Sequence, residues 1–232
     1  MTGFRKTAFK LKARLVNEWI FLKKKLHKFY RMLYSEQHQL TSVTSENRYP
    51  DLFECSKQAT ANFESDKIRI LSFGCSTGEE CFSLRQYFPL SHIIGADIDR
   101  ANLEAANRKN KDKQIDFIFS NETNIKNTGP YQAIFCLSVL CRWEDTKDLT
   151  NCEKVYPFSR FDKTLKMLSG HLVKGGILVI YNSNFRFEDS GLFSDFEVVP
   201  TTHPDSGFVH KFDKDNNRVY ETHSTCIYKK VR

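Results

Sequence analysis

The sequence predicts a doubly wound α/β fold with a mostly parallel sheet, preceded by a basic amphipathic helix. Two stretches carry that expectation. Ile68 to Leu84 reads IRILSFGCSTGEECFSL: an apolar run suited to a buried parallel strand, a turn bracketed by Gly74 and Gly78, and a helix opened by Glu79 and Glu80. Ile93 to Asp99 reads IIGADID, a second apolar run ending in an acid. That acid falls about twenty residues past the glycine turn, the spacing of the first βαβ unit in sheets that bind ligands at such turns.

In chain order, the first element is the helix from about Phe4 to Tyr34. Leu11, Leu15, Trp19, Leu22, Leu26, Phe29 and Leu33 recur at steps of three and four and form one stripe. Residues 1–34 carry ten Lys and Arg against Glu18 alone, a net of +9, which leaves the rest of the chain at −2 although the whole is +7. The segment reads either as a surface helix for an anionic membrane, a nucleic acid, an acidic acceptor or a partner helix, or as a helix docked on its own domain or a second copy with a solvated basic face, with an organellar targeting peptide as a third option. The slightly acidic body does not favour nucleic acid. Residues 35–48 are polar and read as a linker, so the domains are expected as 1–48 for helix and linker and 49–232 for the folded body. A short helix is expected within Asp51 to Phe63.

The glycine turn then narrows the ligand. A dinucleotide fingerprint needs G-x-G-x-x-G with amides aimed at a pyrophosphate, whereas here the glycines stand at G-x-x-x-G and two carboxylates follow, which repel phosphate. No Gly-Lys-Ser/Thr follows, so a phosphate-binding P-loop is excluded too. S-adenosylmethionine, a nucleoside with a sulfonium and an amino group instead of phosphates, suits the loop. Asp97 is placed to accept hydrogen bonds from both of its ribose hydroxyls.

Leu71 to Glu80, LSFGCSTGEE, with Asp97-Ile98-Asp99 behind it, resembles the class I S-adenosylmethionine-dependent methyltransferases, and the wording Cys-Ser-Thr-Gly-Glu-Glu is most similar to the chemotaxis receptor methyltransferases. The resemblance covers roughly residues 66–182. It implies a Rossmann-like, seven-stranded sheet with an antiparallel final strand. It also implies cofactor contacts from Gly74, Ser76, Gly78, Glu80 at the methionyl end, Asp97 and Ile98 at the ribose, Asn121 at the adenine, and Ser138. Arg48 and Tyr49 fall where related enzymes close a segment over the cofactor, or simply pack at the domain edge.

Past the turn, a helix runs to Tyr87 or Phe88 before Pro89, and Ala101 to Arg108 forms the next. Ile115 to Phe119 is the third strand and Tyr131 to Leu140 contains the fourth. Here the chain departs from the family. Ser72 and Gln132 stand where acids are usual, and Ser138 where the chemotaxis enzymes carry asparagine. Arg142 to Asp145 follow in the loop that would line the acceptor pocket, with Trp143 able to stack on a ring or to pack. A helix from about Arg160 to Leu172, a Gly175-Gly176 turn and a fifth strand, Ile177 to Tyr181, come next. Asn182, Asn184, Phe185 and Arg186 leave that strand as candidates to hold the acceptor. Phe196 to Thr201, Phe208 to Phe212 and Thr225 to Lys229 are expected as the remaining strands. His203 and His210 read as structural more readily than as a general base.

Composition excludes several classes. No run of eighteen apolar residues is present, and the start lacks the apolar core of a secretory leader, so a cytoplasmic protein, peripheral at a membrane at most, is expected. Seven cysteines without a Cys-x-x-Cys pair read as reduced thiols, and no group has metal-ligand spacing. The expected activity is methyl transfer from S-adenosylmethionine to an undetermined acceptor, a small molecule or glycan by mild preference, with Ser138 and Asn182 at the reaction centre. An inactive cofactor-binding regulator and a membrane or nucleic-acid adaptor built on the basic helix remain as alternatives.

Overall fold

The computed structural model describes residues 37–203 and 205–232. The basic helix expected at the start lies outside the described residues. His38–Arg232 forms one compact unit. Residues 38–48, expected as linker, fall within this unit. The reason is His38 itself: its buried ring bonds Tyr156 Oη through Nδ1 at 2.5 Å and Thr164 Oγ1 through Nε2 at 2.9 Å.

Five parallel strands are built first: β1 (Arg69–Phe73), β2 (His92–Asp97), β3 (Ile115–Phe119), β4 (Tyr131–Leu137) and β5 (Leu172–Tyr181). With β6 (Phe196–Val199) and the last strand β9 (Ile227–Lys230) they make a seven-stranded sheet of order β3-β2-β1-β4-β5-β9-β6, β9 antiparallel to both neighbours. The two-residue strands β7 (Lys211–Phe212) and β8 (Arg218–Val219) pair apart from it. The sheet is buried on both faces because each strand alternates. Leu71, Ile94, Ile134, Cys136, Leu178 and Tyr228 point into one core, and Ile70, Ile93, Phe135, Val179 and Ile227 into the other.

Helices α1 (Pro50–Ala59), α2 (Glu79–Tyr87), α3 (Arg100–Lys109), α4 (Glu122–Thr128), α5 (Trp143–Thr146) and α6 (Phe158–Gly170) accompany the strands. Their ends follow local chemistry. Proline opens α1, the Asp99 carboxylate accepts from Ala101 N at the start of α3, and Phe161, Leu165 and Leu168 give α6 its buried stripe. Three expectations change. Helix α4 was not foreseen, because Asn121, read as a ligand contact, caps it by accepting from Asn124 N at 2.7 Å. The Gly175-Gly176 turn is instead part of β5, where Gly175 takes φ +79° beside a register shift against β4. The strand expected over Phe208 to Phe212 shrinks to β7, since Phe208 and Val209 bend to reach the end of β5.

The chain turns outward from β1 through β2 to β3, then crosses back to β4 and β5. The reversal lies between β1 and β4, and the open crevice of such a sheet is at the carboxyl ends of those strands.

Candidate active site

Backbone strain is concentrated at the carboxyl ends of three strands. After β1 the turn takes φ +81° at Gly74, +50° at Ser76 and +94° at Gly78; after β4 Ser138 stands at +58°, and after β5 Asn182 stands at +58°. Non-glycine residues in this region mark places where the surrounding structure over-determines the backbone. At Gly78 a side chain is excluded twice, by φ and by the Phe117 ring, whose Cζ would stand 2.8 Å from a Cβ.

The turn is tied to β2. Gly74 N and Cys75 N donate to Ala96 O, and Ser76 N donates to Asp97 Oδ2 at 2.8 Å. The other oxygen of Asp97 accepts from Asp99 N, also at 2.8 Å. Each carboxylate oxygen keeps a second lone pair for a ligand hydroxyl. Ser76 Oγ is buried with no hydrogen-bond partner among the described residues, which leaves a donor and acceptor beside the glycine turn for a ligand's polar group.

The two glutamates that open α2 have different employment. Glu79 accepts from Thr77 Oγ1 and Lys109 Nζ; burial pushes its carboxyl up, and these two partners bring it below the usual range. Glu80 turns inward and accepts from the Oγ of fully buried Ser72 at 2.8 Å. Burial raises its carboxyl to about 7, against the opposing effects of the Ser72 hydrogen bond and the Arg48 charge. Glu80 thus places its carboxylate against the Ser72 side chain.

Across the reversal, Ser138 is the hub. Its Oγ accepts from Asn182 Nδ2 at 3.0 Å and shares a 2.8 Å hydrogen bond with Tyr49 Oη. Asn182 is buried and accepts from Val209 N, so it holds Ser138 and the 206–209 loop together and faces no open space. Asn184, an acceptor candidate in sequence, is interior: its side chain bonds Arg142 N, Thr146 Oγ1 and His210 O. Phe185 lies in an aromatic core with Tyr156, Phe158, Phe161 and Phe212, and Arg186 pairs with Asp189.

The structure therefore gathers Gly74, Ser76, Gly78, Glu80 and Asp97 around one turn and Ser138 with Asn182 beside it, the two halves touching where Val139 fills the space a Gly74 side chain would need. Ile98 is 37% exposed just past Asp97. Asn121 stands apart with its oxygen committed to α4, next to Ser120, whose N bonds Asp97 O. His203 packs its ring on Tyr181, and Gln132, where an acid is usual, accepts from Arg69 N at the opposite end of the sheet. Sequence reading missed the strap from His38 to Tyr49, since its anchors are partners more than thirty residues away: Tyr156 and Thr164 for His38, Ser83 for Asn47 N and Ser138 for Tyr49. No cluster of three or more metal-ligating side chains occurs among the described residues.

Residues 46–216, from the strap through β7, match a family model described as a methyltransferase domain. The chain belongs to this methyltransferase family. Solved structures similar to the methyltransferase include the S-adenosylmethionine-bound amino pentose methyltransferase CalS10 of Micromonospora echinaspora, at 19% identity over 65% of this chain and 54% of that one, TM-score 0.43. TehB of Haemophilus influenzae is similar at 14% identity over 70% and 57%, TM-score 0.44, and the sugar N-methyltransferase KedS8 of a Streptoalloteichus species at 21% over 69% and 64%, TM-score 0.40. The methyltransferase spans less than two thirds of each of these chains. Among curated proteins none matches it.

Proposed function

We propose that this methyltransferase binds S-adenosylmethionine over the carboxyl ends of β1, β2 and β4 and methylates a small molecule or glycan. The observation that carries the reading is the turn between β1 and α2, where an orphan Ser76 hydroxyl, a free lone pair on each Asp97 oxygen and the Glu80 carboxylate are carried by one glycine turn and the strand end tied to it. Asp97 receives the ribose hydroxyls, Glu80 the amino group, and Ile98 and Asn121 border the adenine. When bound, the cofactor supplies a methyl group on a positively charged sulfur, already activated as an electrophile. The protein's part is then to align the acceptor atom, exclude water and shield the charge. Tyr49 roofs Ser138, Asn182 fixes Ser138 from below, and the acceptor's proton leaves to solvent without a dedicated base.

The inactive-regulator alternative loses its two supports. Gln132 works at the far end of the sheet, and the Glu80 carboxylate lies against the Ser72 side chain. Closeness to the chemotaxis receptor methyltransferases belongs to the same proposal and rests on the wording of the turn. The basic segment 4–34 is proposed as a contact for an anionic membrane surface, supported by its charge and apolar stripe; salt-sensitive binding to anionic vesicles that persists after its deletion would contradict this. No helix among the described residues is long and apolar enough to cross a membrane.

The test is calorimetric titration of S-adenosylmethionine and NAD into the protein and its Asp97→Asn variant, chosen because the amide oxygen still serves one backbone donor. Binding of the methionine cofactor alone, weakened about tenfold or more in the variant, is expected. Binding of NAD instead, or of neither, sinks the reading.

A further inference from the structure

A cluster of rings stands beyond the carboxyl end of β4. Trp143, at the start of α5 beyond β4, stands with its indole edge to face against Phe208 at 5.2 Å and 87°, and tilted on His210 at 5.7 Å. Phe208 is 59% exposed, in a loop bound to Asn182 on both sides: Asn182 N donates to Ser206 O and Val209 N donates to Asn182 Oδ1. Asn182 in turn holds Ser138, so these rings are linked through two side chains to the reaction centre.

Several polar groups near these rings are employed in holding the loops. Asn184 uses both ends of its amide, Thr146 Oγ1 donates to Arg142 O, and Asp205 accepts from Tyr181 Oη and Gly207 N. The buried Lys211 ammonium donates to Ser183 O and Oγ. A sugar needs several hydrogen-bond partners to fix its hydroxyls, and a carboxylate acceptor needs a cation; a flat apolar ring needs a ring to lie against.

We infer that Trp143 and Phe208 form the acceptor subsite and that the acceptor is an uncharged aromatic ring bearing a hydroxyl or amine. This rests on the methyltransferase reading above and narrows it. An aromatic face on Phe208 gains offset stacking that the solvent-exposed ring lacks in the free protein, and the adjoining Trp143 edge limits how far the ring can slide from Ser138.

The experiment uses the full chain carrying Trp19→Phe, which leaves Trp143 as its single tryptophan, labelled with 5-fluorotryptophan. Its fluorine resonance is followed while phenol, indole, methyl β-glucopyranoside and N-acetylglutamate are titrated separately, with and without S-adenosylhomocysteine, whose own binding is measured by calorimetry. Saturable shifts with phenol and indole, at least about tenfold tighter than with the other two, are expected. Phe208→Ala, a change at an exposed side chain, should weaken the ring probes about tenfold and leave S-adenosylhomocysteine within about twofold. Equal or tighter binding of the glucoside or the glutamate, or no shift with either ring probe, overturns the aromatic assignment while cofactor binding still supports methyl transfer. Ring binding sensitive to Phe208 without S-adenosylhomocysteine binding supports the subsite and removes the cofactor reading.

Discussion

Two residues in the turn give sharp expectations. Glu80→Gln removes the charge proposed to meet the cofactor's amino group while keeping a partner for Ser72. A charged hydrogen bond in a buried setting is worth about 1.5–3 kcal/mol, so S-adenosylmethionine affinity should fall about tenfold to a hundredfold by calorimetry. A loss under twofold would remove Glu80 from the site. Gly78→Ala tests the backbone: a side chain at φ +94° costs about 1–2 kcal/mol before its crowding against Phe117 is added. Chemical denaturation should show at least that loss, with cofactor affinity reduced as well because α2 no longer starts in the same place.

At the scale of elements, the strap from His38 to Tyr49 belongs to the folded unit. Compared with the chain that starts at Gln37, deletion of residues 1–48 strips the buried His38 ring and its two hydrogen bonds. About 3 kcal/mol for those losses, at about 2–4 °C per kcal/mol in a domain of this size, predicts a drop of roughly 6–12 °C. Equal midpoints for the two truncations would show the strap to be dispensable. Pattern does not reveal the strap because, of residues 37–48, half are exposed and His38 alone is buried, and the anchoring is done by single side chains that pattern does not weigh.

For the whole molecule, buried His38 and inward-turned Glu80 set opposite slopes with pH. His38 is held down to about 3, first by burial and then by the Arg160 and Arg142 charges, so the unfolded chain takes up a proton below 6.5 that the folded one refuses, and stability falls as pH drops from 6.5. Glu80 is raised to about 7, so the unfolded chain releases its proton above 4.5 while the folded one keeps it, and stability falls as pH rises from 4.5 through 7. Ligand-free protein should be most stable between about 4.5 and 6.5. A cofactor ammonium at Glu80 favours the ionised form, so affinity should rise with pH up to about 7 and saturating S-adenosylmethionine should flatten the alkaline slope. Thermal midpoints across this range, with and without cofactor and in Glu80→Gln, check both signs; an unchanged alkaline slope in that variant would contradict the account.

The sequence by itself determined the first four strands in chain order, the glycine turn and the acid at the end of β2, because each depends on a local rule: short apolar runs, glycine's freedom at positive φ, a carboxylate one short unit downstream. It also separated this turn from a phosphate site, since like charges repel whatever the fold. Tertiary structure alone decided the rest. Only folding shows that Glu80 places its carboxylate against Ser72, that Gln132 lies far from the chemistry, and that Asn182, Asn184 and Phe185 serve the interior. Only folding brings Tyr49 onto Ser138 and Phe208 against Trp143, pairs separated by 89 and 65 residues. Such contacts arise where strand ends converge at a reversal of the sheet, and the residues that meet there share no pattern along the chain, because convergence is a property of the packed strands and not of any one segment.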